Sequence, residues 1–154
     1  EHRLNVLEAK NTVIIDDTYN ASPSAVVEAL KTLAEIGRGR QKIAVLGEMR
    51  DLGSFSQTAN EQIGQKAAKS TINILICVGR GAQKIATSAK KANFKGKIIT
   101  AANTKQAVGE VKNNIMRKST VLVKGSRHEH LERVVFALLG KNTNISCYHC
   151  GNLS

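Results

Sequence analysis

Val13-Ile14-Ile15-Asp16-Asp17-Thr18-Tyr19-Asn20-Ala21-Ser22-Pro23 is the stretch that decides the fold. A β-branched apolar run, two carboxylates, a polar turn and then Ser-Pro reads as a buried strand feeding a helix. Ser22 suits the helix cap, and Pro23 suits the first turn, where its missing N–H would have no partner anyway. In α/β domains the ligand lies in the crevice outside the carboxyl ends of the strands. Free N–H groups and the helix dipole favour anions there. Residue types alone leave two readings of 16–23 open. One is a capping turn whose Asp and Asn side chains only satisfy the backbone; the other is the wall of a binding site.

Outward from this stretch, short apolar runs alternate with longer patterns of period 3.6, the signature of βαβ units and a mainly parallel sheet. The runs place strands at 12–16, 42–46, 72–78, 97–100 and 120–124, with a weaker edge strand over 3–8. Helices are expected near 23–36, 56–70, 82–91, 104–116 and 130–139. In the first, Val26, Val27, Leu30, Leu33, Ala34 and Ile36 share the apolar face, and Gly37 is expected to end it in the left-handed conformation. Residues 1–140 then form one domain, and 141–154 lose periodicity and read as an irregular tail.

Composition narrows the function classes. The 154 residues carry 23 Lys and Arg against 12 Asp and Glu, a net charge of +11 that favours anionic partners. Only 3% are aromatic and none is Trp, which weakens a single-strand nucleic-acid reading, because such proteins stack bases on aromatic platforms. No apolar stretch approaches the ~20 residues of a membrane span. The chain starts at Glu1 without an initiator Met, which suggests a piece of something longer. Three cysteines make no disulfide framework and point to a reducing compartment. Cys77 sits in an apolar run and reads as core. Cys147-Tyr148-His149-Cys150 has the spacing of half a zinc site without a second ligand pair, so a tail is the better reading and no metal site is assigned.

Three loops after strand ends are richer in polar groups than spacing requires. In the first, Asp17 can accept hydrogen bonds from a ribose or hold a metal-bound water, Tyr19 can pack on a sugar or base, and Asn20 both donates and accepts. In the second, Leu46-Gly47-Glu48-Met49-Arg50-Asp51-Leu52-Gly53, two glycines permit positive φ at either end of a charged loop. Glu48 and Asp51 there can orient a cation or an amine, or form an exposed ion pair. In the third, Lys124-Gly125-Ser126-Arg127 makes an anion cradle in which Arg127 can grip a carboxylate or phosphate with two parallel hydrogen bonds. Its alternative is a βα turn with solvated charges. No Gly-x-x-x-x-Gly-Lys-Ser/Thr loop occurs, so the chain has no Walker-type cradle for a triphosphate. Val78-Gly79-Arg80-Gly81 lacks the third glycine of a dinucleotide fingerprint, and no nucleophile elbow is present.

Taken together and in order, Asp16–Pro23, Val45–Gly53 and Leu122–Glu132 resemble the C-terminal domain of the Mur ligases, in the branch that adds D-Ala-D-Ala. The resemblance covers roughly residues 3–140. It implies a Rossmann-like three-layer α/β domain whose mostly parallel sheet has about six strands, one of them antiparallel. It also implies an ATP-dependent ligase that joins D-Ala-D-Ala to UDP-MurNAc-tripeptide through an acyl phosphate, in bacterial peptidoglycan synthesis. ATP and Mg2+ would be held mainly by the central domain, and the UDP-sugar by the N-terminal domain of the same polypeptide. The C-terminal domain closes over the cleft, so the isolated domain is expected to be inactive.

By position in those motifs, the resemblance assigns Asp17, Tyr19 and Asn20 to the nucleotide and Lys124, Ser126 and Arg127 to the incoming dipeptide or the phosphate. Glu48 and Asp51 match motif positions with no assigned role. Ser22 stands where Asn is commoner, and Asn60 where His is frequent. A cytoplasmic, monomeric protein without membrane contact is implied. Another Mur ligase adding a single amino acid, or a basic nucleic-acid-binding module, are the competing readings.

Overall fold

The alternation read from the sequence is present in the chain. In the computed structural model, which describes residues 2–148 and 151–153, the strands of one sheet are β1 (Asn5–Ala9), β2 (Thr12–Asp17), β3 (Gln41–Leu46), β4 (Ile74–Val78), β5 (Lys97–Ala101) and β6 (Ser119–Lys124). They lie in the order β1-β2-β6-β3-β4-β5. Strands β2 to β6 pair in parallel, and β1 joins antiparallel to β2. The helices are α1 (Pro23–Ile36), α2 (Ser56–Ala68), α3 (Gly79–Lys91), α4 (Thr104–Asn114) and α5 (Glu132–Leu138).

Successive strand residues face opposite sides of the sheet, and the core divides accordingly. Ile15, Ala44, Leu46, Leu75, Cys77 and Leu122 pack under α1, α2 and α3, while Ile14, Ile43, Val45, Ile76, Val121 and Val123 pack under α4 and α5. Central strands buried on both faces explain their unbroken apolar sequence. Each fully buried Leu or Ile side chain stabilises the fold by about 1.5–3 kcal/mol relative to exposure. Ser22 accepts a hydrogen bond from the Ala25 N–H and caps α1, with Pro23 in the first turn.

Departures from the sequence reading have physical causes. Gly37 ends α1 at φ −82°, not in the left-handed region. Glycine is required there by space, since a Cβ would sit 2.6 Å from the Leu33 carbonyl oxygen and 2.5 Å from Lys42 Cγ. Helix α3 begins at Gly79, directly after β4, because Gly79 turns the chain at φ +80°. The last helix starts two residues late: a 3-10 turn, Arg127–Glu129, precedes it, and His130 adopts the left-handed conformation at φ +52°. Beyond Gly140, strands Ile145–Cys147 (β7) and Gly151–Leu153 (β8) pair antiparallel where an irregular tail is expected. The proposed half zinc site falls partly on 149 and 150, outside the described residues.

The topology places β6 between β2 and β3. The chain leaves β2 and β3 toward helices on one face of the sheet, and leaves β6 toward α5 on the other. Divergence of this kind opens a crevice between neighbouring strand ends. One crevice therefore lies on each side of the C-terminal end of β6.

Candidate functional site

At the β2/β6 crevice the last residues of the two strands are register partners, Asp17 opposite Lys124. Both side chains share the parity of Ile15 and Leu122 and so turn toward α1. Lys124 Nζ donates to Asp17 Oδ2 at 2.6 Å and to the Asn20 carbonyl oxygen at 2.8 Å. Lys124 is 2% exposed and Asp17 6%. Asp17 Oδ1 accepts the Leu4 N–H at 3.3 Å. The ammonium thus ties the octet to the end of β6, and both carboxylate oxygens of Asp17 are engaged.

Asp16 turns to the opposite face. Its Oδ1 accepts from the Thr18 hydroxyl at 2.8 Å and its Oδ2 meets His2 Nδ1 at 2.6 Å. With the two acids committed inward, Tyr19 and Asn20 are the exposed residues of the turn. The Asn20 side-chain oxygen accepts from the Ala21 N–H at 2.8 Å. The Tyr19 ring has the Arg3 guanidinium 4.5 Å and the Arg127 guanidinium 5.7 Å from its centroid. This contact brings the first and third motif loops together. Ser126 is buried, and its hydroxyl has no hydrogen-bond partner. A concavity of about 440 Å³ beside the octet is lined by Arg3, Leu4, Asp17, Asn20, Ser22 and Lys124, among others.

The β6/β3 crevice is built differently. Gly47 N–H donates to the Lys124 carbonyl oxygen at 2.8 Å, continuing the ladder one step past the strand. The carboxylate of Glu129, from the 3-10 turn, then enters between the loops. Its Oε2 accepts the Glu48 N–H at 2.8 Å, and the Ser126 main-chain amide adds a contact that favours the ionised form. Three glycines leave the room: a Cβ on Gly47 would collide with Glu129, one on Gly125 would lie 2.8 Å from Oε2, and one on Gly79 would lie 3.1 Å from Oε1. Burial pushes the Glu129 carboxyl up from 4.5 to about 7, and the nearby Glu48 carboxylate adds to the rise. The amides of Glu48 and Ser126 and the charge of Arg50 act in the opposite direction.

The structure therefore brings Asp17, Asn20 and Lys124 together at one crevice, sets Tyr19 against Arg127, and buries Ser126 beside them. Glu48 lies against the start of α3, where a Cβ on Gly81 would be 2.5 Å from its Oε1. Asp51 is exposed at φ +60°, so positive φ falls on it and on Gly53 rather than on Gly47. Asn60 is buried in α2, its amide NH2 bonded to the Ser56 carbonyl oxygen at 2.6 Å. Cys77 is fully buried, and burial raises its thiol to about 12.

Sequence reading missed Arg3 and Glu129. The available signal for Glu129 was that β3 and β4 are followed at once by glycine, as β6 is (Gly47, Gly79, Gly125), which marks close approach by another group. A larger groove of about 740 Å³ is lined only by α2 and α3 side chains and the adjoining Ala92, with none of the motif residues. Among the described residues, no three His, Cys, Asp or Glu side chains come together as a metal site would need, and no helix is long and apolar enough to cross a membrane.

Comparison with known proteins places this geometry in context. Residues 2–127 match the family model described as Mur ligase, glutamate ligase domain. The UDP-N-acetylmuramoyl-tripeptide–D-alanyl-D-alanine ligase of Escherichia coli is 32% identical over 136 residues, covering 88% of this chain and 28% of that protein. The chain thus spans little more than a quarter of that relative. The crystal structure of the MurF ligase from Thermotoga maritima in complex with ADP superposes with a TM-score of 0.75 at 27% identity, over 91% of this chain and 31% of that one. MurF from Acinetobacter baumannii gives a TM-score of 0.78 at 25% identity, over 91% of this chain and 31% of its own.

Proposed function

We propose, from the premise that this chain belongs to the Mur ligase family as a C-terminal domain, that it serves an ATP-dependent enzyme joining D-Ala-D-Ala to UDP-MurNAc-tripeptide. In that reaction a carboxylate oxygen of the tripeptide attacks the γ-phosphorus of ATP and ADP leaves. The dipeptide amine then attacks the carbonyl carbon of the acyl phosphate. Inorganic phosphate departs as the amide forms, and the amine gives up a proton. The work falls in bacterial peptidoglycan precursor synthesis, in the cytoplasm, and so bears on cell shape and division. The protein acts as a monomer whose N-terminal and central domains complete the site.

The observation that carries this reading is the convergence of the three motif loops at the end of β6, with Tyr19 of the first stacked near Arg127 of the third. Asp17 and Lys124 bond to each other and hold the octet in place. That leaves Tyr19 and Asn20 to face the nucleotide, and Arg127, with Ser126 behind it, to face the dipeptide carboxylate or the phosphate. Closure of such a lid excludes water, which would otherwise hydrolyse the acyl phosphate. Magnesium would neutralise the phosphates of ATP in that reaction. The central domain of the full protein is the place for its ligands.

The test is ADP release by the full-length protein with ATP and UDP-MurNAc-tripeptide. Release should depend on added D-Ala-D-Ala. Release driven equally well by a single amino acid would assign the chain to another Mur ligase. No release with either acceptor, together with RNA or DNA binding that falls steeply with salt, would favour the nucleic-acid module.

A further inference from the structure

We propose that the β6/β3 crevice is an anion nest already filled by the chain's own Glu129, whose side chain must withdraw before an external carboxylate-, sulfate- or phosphate-sized anion can enter. The main-chain N–H of Glu48 donates to Oε2 of this carboxylate at 2.8 Å, and the Ser126 amide, from a different loop, favours the same negative charge. Such amides bind anions by geometry and partial charge. Helix α3 presents its N-terminal end to the same point through Gly79, and no side chain caps that end. Glycines at 47, 79 and 125 leave the room that the Glu129 carboxylate fills. The resident group enters from a short turn rather than from a strand, so a rotation of one side chain empties the nest without breaking the sheet.

Glu129 is neither a strand-end residue nor one of the fixed positions of the third motif, whose Lys-Gly-Ser-Arg and following Leu131-Glu132 lie on either side of it. The surroundings decide its charge. From the loop after β3, Glu48 opposes ionisation and Arg50 favours it. From α3, the approach is by Gly79. From the start of α4, Thr104 donates its hydroxyl to the Glu129 carbonyl oxygen at 2.6 Å. On its own turn stand Arg127, directed at Tyr19, and His128. His130 lies next to α5 and meets Glu132 at 2.8 Å. Ionised Glu129 competes with an entering anion by charge as well as by space; protonated Glu129 competes by space alone.

Sulfate is a suitable probe, because it keeps one charge state across the range in which Glu129 titrates. Binding is read from the backbone amide resonances of Glu48, Gly79 and Ser126 in the present chain, without nucleotide or catalysis, so the ligase reading stands or falls separately. At pH 8, Glu129→Ala should bind sulfate at least tenfold more tightly than the wild type, with shifts centred on those three amides. Glu129→Gln, which keeps the volume and loses the charge, should fall between them and covers the case that the smaller variant does not fold. Glu28→Gln removes an exposed charge elsewhere and should leave sulfate affinity unchanged. Wild-type affinity should rise on going from pH 8 to pH 6, and the Glu129→Ala affinity should not follow it. Equal affinity in wild type and both Glu129 variants, an equal gain in Glu28→Gln, or a pH dependence retained by Glu129→Ala would overturn the proposal.

Discussion

The two crevices beside β6 share one strand and one architecture, yet they are closed by opposite means. Between β2 and β6, two residues that face each other in the parallel register, Asp17 and Lys124, neutralise each other. Between β6 and β3, a carboxylate is held by the Glu48 main-chain amide, with the Ser126 amide and the charge of Arg50 also favouring its ionised form. The first arrangement is a fixed fastening, because parting the pair leaves a charge buried. The second is conditional, because Glu129 can be neutralised by one proton. A strand end can therefore be locked or gated by the kind of group placed in the crevice beside it.

The largest expected effect comes from breaking the lock. Lys124→Met leaves Asp17 buried without its partner, and removal of one member of a buried pair costs about 3–5 kcal/mol. Urea denaturation of the chain should show that loss, and Asp17→Asn in the same molecule should restore much of it, since the uncompensated charge is then gone. A loss under ~1 kcal/mol would mean that the β2/β6 pair behaves like a surface bridge, and the contrast with Glu129 would disappear.

The strand-end positions of Asp17 and Lys124 were legible in the sequence, whereas their pairing and the gate were not, for reasons that lie in distance along the chain. Asp17 and Lys124 each end an apolar run, so parity and strand order alone bring them to one edge. The same parity argument places Cys77 and Leu122 in the core. Glu129 follows no strand. Its place depends on the 3-10 turn at Arg127–Glu129 and on glycines at 47, 79 and 125, contributed by three loops that no local pattern links. Gly37 illustrates the same limit. Its identity marks the end of α1 correctly, but the reason is the nearness of Lys42 and not a left-handed turn. Of the three residues that the resemblance assigned to the dipeptide or the phosphate, Lys124 turns its ammonium inward to Asp17, Ser126 is buried and Arg127 is exposed.

The gate should show itself in pH dependence. The Glu129 carboxyl is raised from 4.5 to about 7, so the folded chain holds this proton more tightly than the unfolded chain does. Its contribution to stability is complete below the unfolded value and is lost as pH rises through the folded one. Between these limits wild-type stability should fall relative to Glu129→Gln by as much as about 3 kcal/mol, at about 1.4 kcal/mol for each pH unit separating the two values. Denaturation of both proteins at intervals from pH 4 to pH 8 isolates the difference, because every other group is common to the two. A flat difference curve would make Glu129 a fixed fastening like Asp17.

The smallest effect on the fold, and the sharpest separation of fastening from function, belongs to Tyr19. Tyr19 is 39% exposed, and its ring has the guanidinium groups of Arg3 and Arg127 beside it. Exposed cation–π contacts contribute about 0.5–1 kcal/mol, so Tyr19→Ala should lower the stability of the chain by no more than ~1 kcal/mol. In the full-length ligase the same change should raise the KM for ATP severalfold with little change in the KM for D-Ala-D-Ala, since only the nucleotide side of the octet loses surface. Tyr19→Phe keeps the ring and should retain most of the wild-type KM. If Tyr19→Ala instead unfolds the domain, or raises both KM values alike, the octet is a structural unit throughout. The division between an inward pair that fastens and an outward pair that binds would then have no basis at this crevice.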